Sequence, residues 1–334
     1  MVDAKLSKIA EQLQTYDNFV ICGHVNHDGD CISCQVTLTM ALRQLDKNVV
    51  NLLADTSKIN DNLSAIPLTD SFIKADDYVC EFDNFCFVTV DCAQNYRIED
   101  GAKIKAKADC ALIIDHHELT DDVEADIYFT DPSAASCSML IWKLCKLLKV
   151  QLNAEIAQAA LVGLISDTAS FRNKNADANA LRLACEMVEC GASTADVSNM
   201  LFLNNSLKTL ELQNAFLNQC TVNTKLHYAI GYLTAQDFEK TGATKNDTTG
   251  LVDLLKSIDC VNFVCVLRQI EKGDDIHGSL RAKDDTDVRS LATQYKGGGH
   301  IAAAGFTMVG QTDLKAAVDE IYNKMANLAE GKLK

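Results

Sequence analysis

Six side chains of metal-binding type punctuate this sequence: His24, Asp28, Asp30, Asp91, His116 and Asp167. Each follows an apolar segment with the character of a buried element. Asp28 and Asp30 share one short loop around Gly29, while Asp91 and His116 end separate apolar runs. Four carboxylates in one place repel strongly unless cations sit among them. Oxygen ligands with some imidazole suit Mn²⁺ or Mg²⁺, and the histidines tilt the choice toward Mn²⁺. Two such ions about 3.5–4 Å apart can clamp the attacking and leaving oxygens of a phosphoryl transfer. Taken singly, each residue has an ordinary structural explanation. Asp28 and Asp91 could cap helices, Asp131 reads as a cap and no more, and a lone loop histidine such as His24 is usually just hydrogen-bonded. Six together at strand and helix ends are hard to explain as caps. Of the seven histidines, four fall in two short motifs (His24, His27, His116, His117), a concentration that scattered surface histidines would not give.

The elements that must position these groups follow from the apolar pattern. A helix over 3–16 precedes a buried strand at 18–22, which runs into Gly-His-Val-Asn-His-Asp-Gly-Asp at 23–30. A helix over 31–46 and a strand over 48–53 complete a βαβ unit. Its first turn carries carboxylates and imidazoles, so it is a poor dinucleotide fingerprint and a good ligand cluster. Strands at 85–90 and 110–114 end at Asp91 and at Asp115-His116-His117, and a shorter strand covers 126–130. Asp131-Pro132-Ser133 predicts the start of a helix over 134–149. Further helices are expected over 154–166, with Asp167 just beyond, and over 177–190, closing at Gly191. Alternating strands and helices predict an α/β fold: a mostly parallel N-terminal sheet with helices on both faces. Ligands in such sheets bind beyond the carboxyl ends of the strands.

The expected domains are 1–194, a helical connector over 195–219, and a smaller α/β domain over 220–334. The last has strands near 227–233, 261–269, 276–282 and 303–308 and helices near 235–240, 250–257, 287–295 and 312–328. A chain of 334 residues fits two domains better than one. A formal charge of −15 disfavours a grip on long duplex nucleic acid but leaves room for a short nucleotide held by a few arginines and metal ions. No signal-peptide pattern or membrane-spanning run stands out, so a cytoplasmic protein without membrane contact is expected. Fourteen scattered cysteines read as reduced core residues. Cys31 and Cys34 have redox-motif spacing, yet no second such pair completes a zinc site.

In order, the motifs resemble those of the DHH phosphoesterase superfamily: His24-x-x-x-Asp28-x-Asp30, Asp91 after a buried strand, Asp115-His116-His117, and Ser166-Asp167-Thr168. The C-terminal half resembles the DHH-associated substrate-binding domain through Ser279-Leu280-Arg281, Gly297-Gly298-Gly299-His300 and Ala303-Ala304-Gly305-Phe306. The resemblance spans nearly the whole chain, and the paired domains look like the nanoRNase and 3′-phosphoadenosine 5′-phosphate (pAp) phosphatase group. It implies an active site in the cleft between the domains. One metal would take His24, Asp28 and Asp91, and a second Asp30, Asp91, His116 and Asp167, so that Asp91 bridges. His117 would contact the scissile phosphate or assist the leaving group, and Asp115 would orient the histidines. Arg281 and the glycine-rich turn of Gly297, Gly298, Gly299 and His300 would hold the substrate's other phosphate or base.

The implied activity is a Mn²⁺- or Mg²⁺-dependent phosphodiesterase. It would cut short RNA or dinucleotides such as pGpG and pApA to mononucleotides, and dephosphorylate pAp. The rival readings are a manganese inorganic pyrophosphatase or polyphosphatase and a non-catalytic nucleotide-binding regulator. A homodimer is the assembly to test. Two positions depart from the family pattern: His27 stands where proline is usual, and Ala169 where glycine is common.

Overall fold

The computed structural model describes residues 4–56, 58–119 and 123–332, without the side chain of His300. The chain divides into two compact units, Met1–Asn204 and Asn205–Lys334. In the first, α1 (Ala4–Thr15), β1 (Asn18–Cys22), α2 (Gly29–Arg43) and β2 (Asn48–Leu53) lead to β3 (Ile73–Lys74) and β4 (Cys86–Val90). Then come α3 (Gly101–Lys105), β5 (Cys110–Asp115), β6 (Ile127–Thr130), α4 (Cys137–Leu147), α5 (Ala154–Asp167), α6 (Ala178–Glu189) and α7 (Thr194–Phe202). The sheet order is β3-β2-β1-β4-β5-β6, with every pair parallel. The chain winds outward from β1 to β3 and then returns to β4 on the other side of β1. The loops after β1 and β4 therefore diverge, and a crevice opens at their carboxyl ends.

The strands are apolar almost throughout because both faces are covered; β4 is buried along its whole length. On one face Leu6, Ile9 and Leu13 of α1, Leu38 and Leu42 of α2, and Leu140 and Leu144 of α4 pack on Ile21, Val88, Leu112 and Ile114. The other face carries Val20, Leu52 and Phe87 under Ile98 and Ile104, the latter from α3. Helices α5, α6 and α7 form a third layer behind α2 and α4. Sandwiched in this way, α2 is buried on nearly every side. Gly163 permits the close approach of α5: a Cβ there would lie 2.3 Å from Asp30 Oδ1 and 2.4 Å from Ser33 Oγ.

Three local expectations change. The helix expected from residue 134 begins at Cys137. Asp131 instead folds its own segment into a turn, its Oδ1 accepting from Ser133 N at 3.1 Å and Ser133 Oγ at 2.5 Å. Asp167 is the last residue of α5 rather than just beyond it. The segment 195–219 is two helices, not one connector. They are α7 and α8 (Leu207–Leu217), the second started by Ser206, whose side chain accepts from Thr209 N. The compact units part between Asn204 and Asn205.

In the second unit α8 is followed by β7 (Cys220–Asn223), β8 (Tyr228–Leu233), α9 (Ala235–Thr241), α10 (Leu251–Lys256), β9 (Phe263–Arg268) and β10 (Ile276–Ala282). It ends with α11 (Arg289–Thr293), β11 (Gly298–His300), β12 (Ala303–Met308) and α12 (Leu314–Ala329). The order is β11-β12-β10-β9-β8-β7, antiparallel except for the parallel pair β8–β9. Leu291, Leu314, Ile321 and Met325 cover one face, and Leu212, Phe216, Leu251 and Leu255 part of the other. The glycine-rich stretch read as a turn contributes an edge strand, β11, paired with β12. Gly299 has φ +133°, and a Cβ there would lie 2.4 Å from the Ala303 carbonyl oxygen. All fourteen cysteines are free thiols. Among the described residues no helix is long and apolar enough to cross a membrane.

Candidate metal centre

The crevice beyond β1 and β4 collects His24, Asp28, Asp30, Asp91, His116 and Asp167. His24 follows β1. Its Nδ1 lies 2.8 Å from the Val25 carbonyl oxygen, which leaves Nε2 facing Asp91 Oδ2 at 3.2 Å and Asp28 Oδ2 at 3.9 Å. His116 follows β5 and is turned the same way. Its Nδ1 lies 3.1 Å from the Ala134 carbonyl oxygen, and its Nε2 is 3.3 Å from Asp167 Oδ2, 3.4 Å from Asp91 Oδ1 and 3.9 Å from Asp30 Oδ2. A proton on Nδ1, shared with a main-chain carbonyl, presents the Nε2 lone pair to a cation.

Asp28 caps α2, its Oδ1 accepting from Asp30 N and Cys31 N at 3.1 Å each. Capping therefore does not compete with metal binding here, because the other oxygen points toward His24. Asp30 is fully buried and has a second task that the sequence did not reveal. Its carboxylate takes the first N–H groups of α4, Cys137 N at 2.5 Å and Ser138 N at 2.9 Å. Ser136, the residue before α4, makes no such bond with its own side chain. The N-terminus of α4 is thus capped from α2, and the helix dipole supports a buried negative charge.

Asp91 lies one residue past β4, in the left-handed region at φ +58°, with its N–H bound to the Ile114 carbonyl at 2.9 Å. It is buried, and among the described residues its Oδ1 has no hydrogen-bond partner. Burial, and then the neighbouring carboxylates Asp30, Asp28 and Asp115, push the Asp91 carboxyl well above the usual range. Burial and Asp30, Asp28 and Asp91 do the same to Asp167. Burial likewise raises Asp30, against the opposing pull of His116. These carboxylates ionise together only when cations stand between them. The donor set suits that: three overlapping groups could each hold an ion, His24 with Asp28 and Asp91, Asp30 with His116 and Asp167, and Asp91 with His116 and His117.

Asp115 is fully buried. Its Oδ1 accepts from His116 N at 2.7 Å, His117 N at 3.1 Å and His117 Nδ1 at 2.7 Å. Burial pushes its carboxyl up, but the bonds and charge from His117 outweigh that and hold it below the usual range. It is the ionised anchor of the triplet. His117 Nδ1 also stands 3.8 Å from Asp91 Oδ1, so His117 borders the ligand cluster itself. The side chain of His27 is tucked in beside Asp55, its Nδ1 4.0 Å from Asp55 Oδ1, and belongs to none of the three groups. Cys31 and Cys34 are buried on α2, and burial pushes both thiols well above their ordinary value. A redox-active thiol needs the opposite shift. Ala169, Ser170 and Phe171 all take positive φ, +47°, +59° and +62°. Glycine adopts such a backbone readily, so the glycine that the family resemblance leads one to expect at position 169 would fit this conformation.

Arg281, Gly297, Gly298, Gly299 and His300 belong to the second unit. Arg281 is on β10 and faces Ala303 across the pair β10–β12, while His300 faces Ala303 across β11–β12. One row of the sheet therefore holds the backbones of Arg281, Ala303 and His300; the His300 side chain lies outside the described residues.

A parallel α/β unit with carboxylates and imidazoles at its strand ends, followed by a mixed-sheet unit, is the architecture of a DHH-type protein. The chain belongs to that family: residues 18–164 match the DHH family, N-terminal domain, and residues 224–327 match the DHHA1 domain. It is 28% identical over 319 residues to the bifunctional oligoribonuclease and PAP phosphatase NrnA of Thermus thermophilus, covering 95% of this chain and 92% of that relative. It is 26% identical to the NrnA of Bacillus subtilis, covering 90% of this chain and 92% of the relative. An exopolyphosphatase-related protein from Bacteroides fragilis superposes with a TM-score of 0.87 at 25% identity, over 97% of each chain.

Proposed function

We propose that this chain is a phosphodiesterase using two divalent cations, Mn²⁺ by preference. It would hydrolyse short oligoribonucleotides and dinucleotides such as pGpG and pApA to mononucleotides, and remove the 3′-phosphate of pAp. The observation that carries the reading is the sharing of Asp91 between ligand groups on either side of it, with His24 and His116 turned toward its two oxygens. His24, Asp28 and Asp91 would hold one ion, and Asp30, Asp91, His116 and Asp167 the other. When bound there, the ions supply Lewis acidity and neutralise charge on the phosphoryl group. His117 would bind the scissile phosphate and hold the proton destined for the leaving oxygen at Nε2, its ring set by Asp115 through Nδ1. Arg281, with Gly297, Gly298, Gly299 and His300, would hold the far end of the substrate. The two NrnA relatives carry both activities in their names, and a charge of −15 suits short substrates better than long ones.

One panel tests this: pGpG, pApA, a short RNA, pAp and inorganic pyrophosphate, each with Mn²⁺ and with Mg²⁺. Turnover of the nucleotides with Mn²⁺ and little of pyrophosphate is expected. Pyrophosphate as the best substrate would replace the proposal with a pyrophosphatase.

A further inference from the structure

Two guanidinium groups share one face of the second unit's sheet, and among the described residues neither has a carboxylate within ion-pair distance. Arg268 ends β9 and pairs with His277 of β10, so both point to the same side. Ser279 and Arg281 follow at two-residue steps on β10 and share that side, while Ile276 and Leu280 face the core below. Among the described residues neither Arg268 nor Arg281 forms an ion pair, and Asp253 acts on Arg281 only at longer range. Arg268 Nη1 donates to Thr248 Oγ1 at 2.9 Å and Nη2 to Ser279 Oγ at 2.6 Å, both neutral acceptors. Among the described residues its buried Nε has no hydrogen-bond partner. Arg281 Nη1 donates to its neighbour's carbonyl, that of Leu280, at 2.9 Å.

Partly buried positive charges with no counter-charge are unfavourable, and an orphaned buried donor adds to the cost. The surroundings leave room for what is lacking. Register places Gly298, Gly305 and Ser279 in one row across β11, β12 and β10. A Cβ on Gly298 would meet nothing within 4 Å, and one on Gly305 only a backbone oxygen at 3.6 Å. The row is a bare backbone shelf, with Arg281 two residues along β10 from Ser279 and the Arg268–His277 pair two residues the other way. Ser279 Oγ, already accepting from Arg268, has its own proton left to donate toward that shelf.

We propose that Arg268 is a specificity-determining residue which, with Arg281 and Ser279, cradles a terminal phosphomonoester dianion of the nucleotide substrate. The proposal rests on the substrate reading given above for Arg281, and it adds a second charge and a chemical requirement. Two guanidinium groups match a dianion, whereas a substrate ending in a 5′-hydroxyl brings no charge to them.

The test compares the full chain with Arg268→Gln and Arg268→Lys on a dinucleotide with a 5′-phosphate and the same dinucleotide with a 5′-hydroxyl, both with Mn²⁺. A charge-assisted hydrogen bond is worth about tenfold to a hundredfold in affinity. Arg268→Gln should lower the ratio of kcat/KM for phosphate over hydroxyl by about that factor, through KM, and Arg268→Lys should restore part of it. An unchanged ratio, with both substrates falling together, would make Arg268 a structural residue and overturn the proposal. Melting temperature with inorganic phosphate, against chloride at equal ionic strength, is the second readout. A phosphate-dependent rise in the wild type that shrinks in Arg268→Gln supports the cradle, since phosphate held at the metal centre is common to both proteins. Equal rises overturn it. If the wild type cleaves neither dinucleotide, the proposed activity fails, and the melting comparison alone decides the cradle.

Discussion

Replacing Asp91 with Asn separates the cost of the metal centre from its use. The substitution keeps the side-chain shape and removes one buried negative charge. In the metal-free protein that charge sits among Asp28, Asp30 and Asp115, with one oxygen lacking a hydrogen-bond partner among the described residues and the other 3.2 Å from His24 Nε2. An uncompensated buried charge costs several kcal/mol, but protonation of the carboxyl already relieves most of it. A net gain of about 1–2 kcal/mol for Asp91→Asn in metal-free protein is therefore expected. For a unit of this size that corresponds to a rise in Tm of roughly 2–8 °C. With Mn²⁺ the order reverses. Each filled site would stabilise the native state by about 2.7 kcal/mol at a hundred times its Kd, and the variant should forfeit most of this if Asp91 serves both sites as proposed. The assay is a melting series in chelator and in Mn²⁺, read beside turnover of a dinucleotide. A variant that melts lower than wild type in chelator, yet keeps its Mn²⁺ increment and its turnover, would refute the shared-ligand reasoning.

The same electrostatics gives a pH dependence of definite sign. Asp30, Asp91 and Asp167 have raised pKa values in the fold, so the stability they contribute is complete below the unfolded carboxylate value of about 4 and is lost as pH rises through the raised values. Metal-free protein should lose Tm as pH rises above the ordinary carboxylate range while the Mn²⁺ increment grows, and a flat increment would count against carboxylate ligation. Asp115, held low, contributes in the opposite direction; its share is present at neutral pH and disappears on acidification. Asp30→Ala should behave unlike Asp91→Asn. It strips Cys137 N and Ser138 N of their acceptor and should cost about 2–4 kcal/mol even in chelator, measured by urea unfolding. Gly163→Ala places a methyl 2.3 Å from Asp30 Oδ1 and should lower stability by about 1–3 kcal/mol and weaken Mn²⁺ binding with it; unchanged affinity in a calorimetric titration would show that α5 yields instead.

Much of the first unit was legible because its signals are local. Apolar runs such as those over β4 and β5 announce buried strands, and each ends at a polar residue of unmistakable chemistry. Strand alternating with helix implied a parallel sheet, and a parallel sheet has its ligand site at the carboxyl ends of its strands. The second unit was legible in outline, but the glycines of β11 read as a turn because local preference cannot register pairing with β12. The helix expected at 134 started three residues later because Asp131 satisfies its own turn and the cap comes from Asp30 in another helix.

The sequence alone determined which residues could bind cations and the strand or helix end to which each belongs, since residue type and apolar periodicity are properties of the chain. Tertiary structure decided everything that depends on residues distant in sequence. It turned His24 and His116 by the carbonyls of Val25 and Ala134, so that both present Nε2 to one carboxylate. It buried Asp91 with an oxygen that has no hydrogen-bond partner among the described residues, and gave Asp30 a helix to cap. It also set Arg268 beside Ser279, eleven residues apart in the chain but joined by a hydrogen bond across two strands. Hydrogen-bond direction and desolvation depend on the neighbours a group finally meets, and those neighbours are fixed only when the sheets and helices have packed.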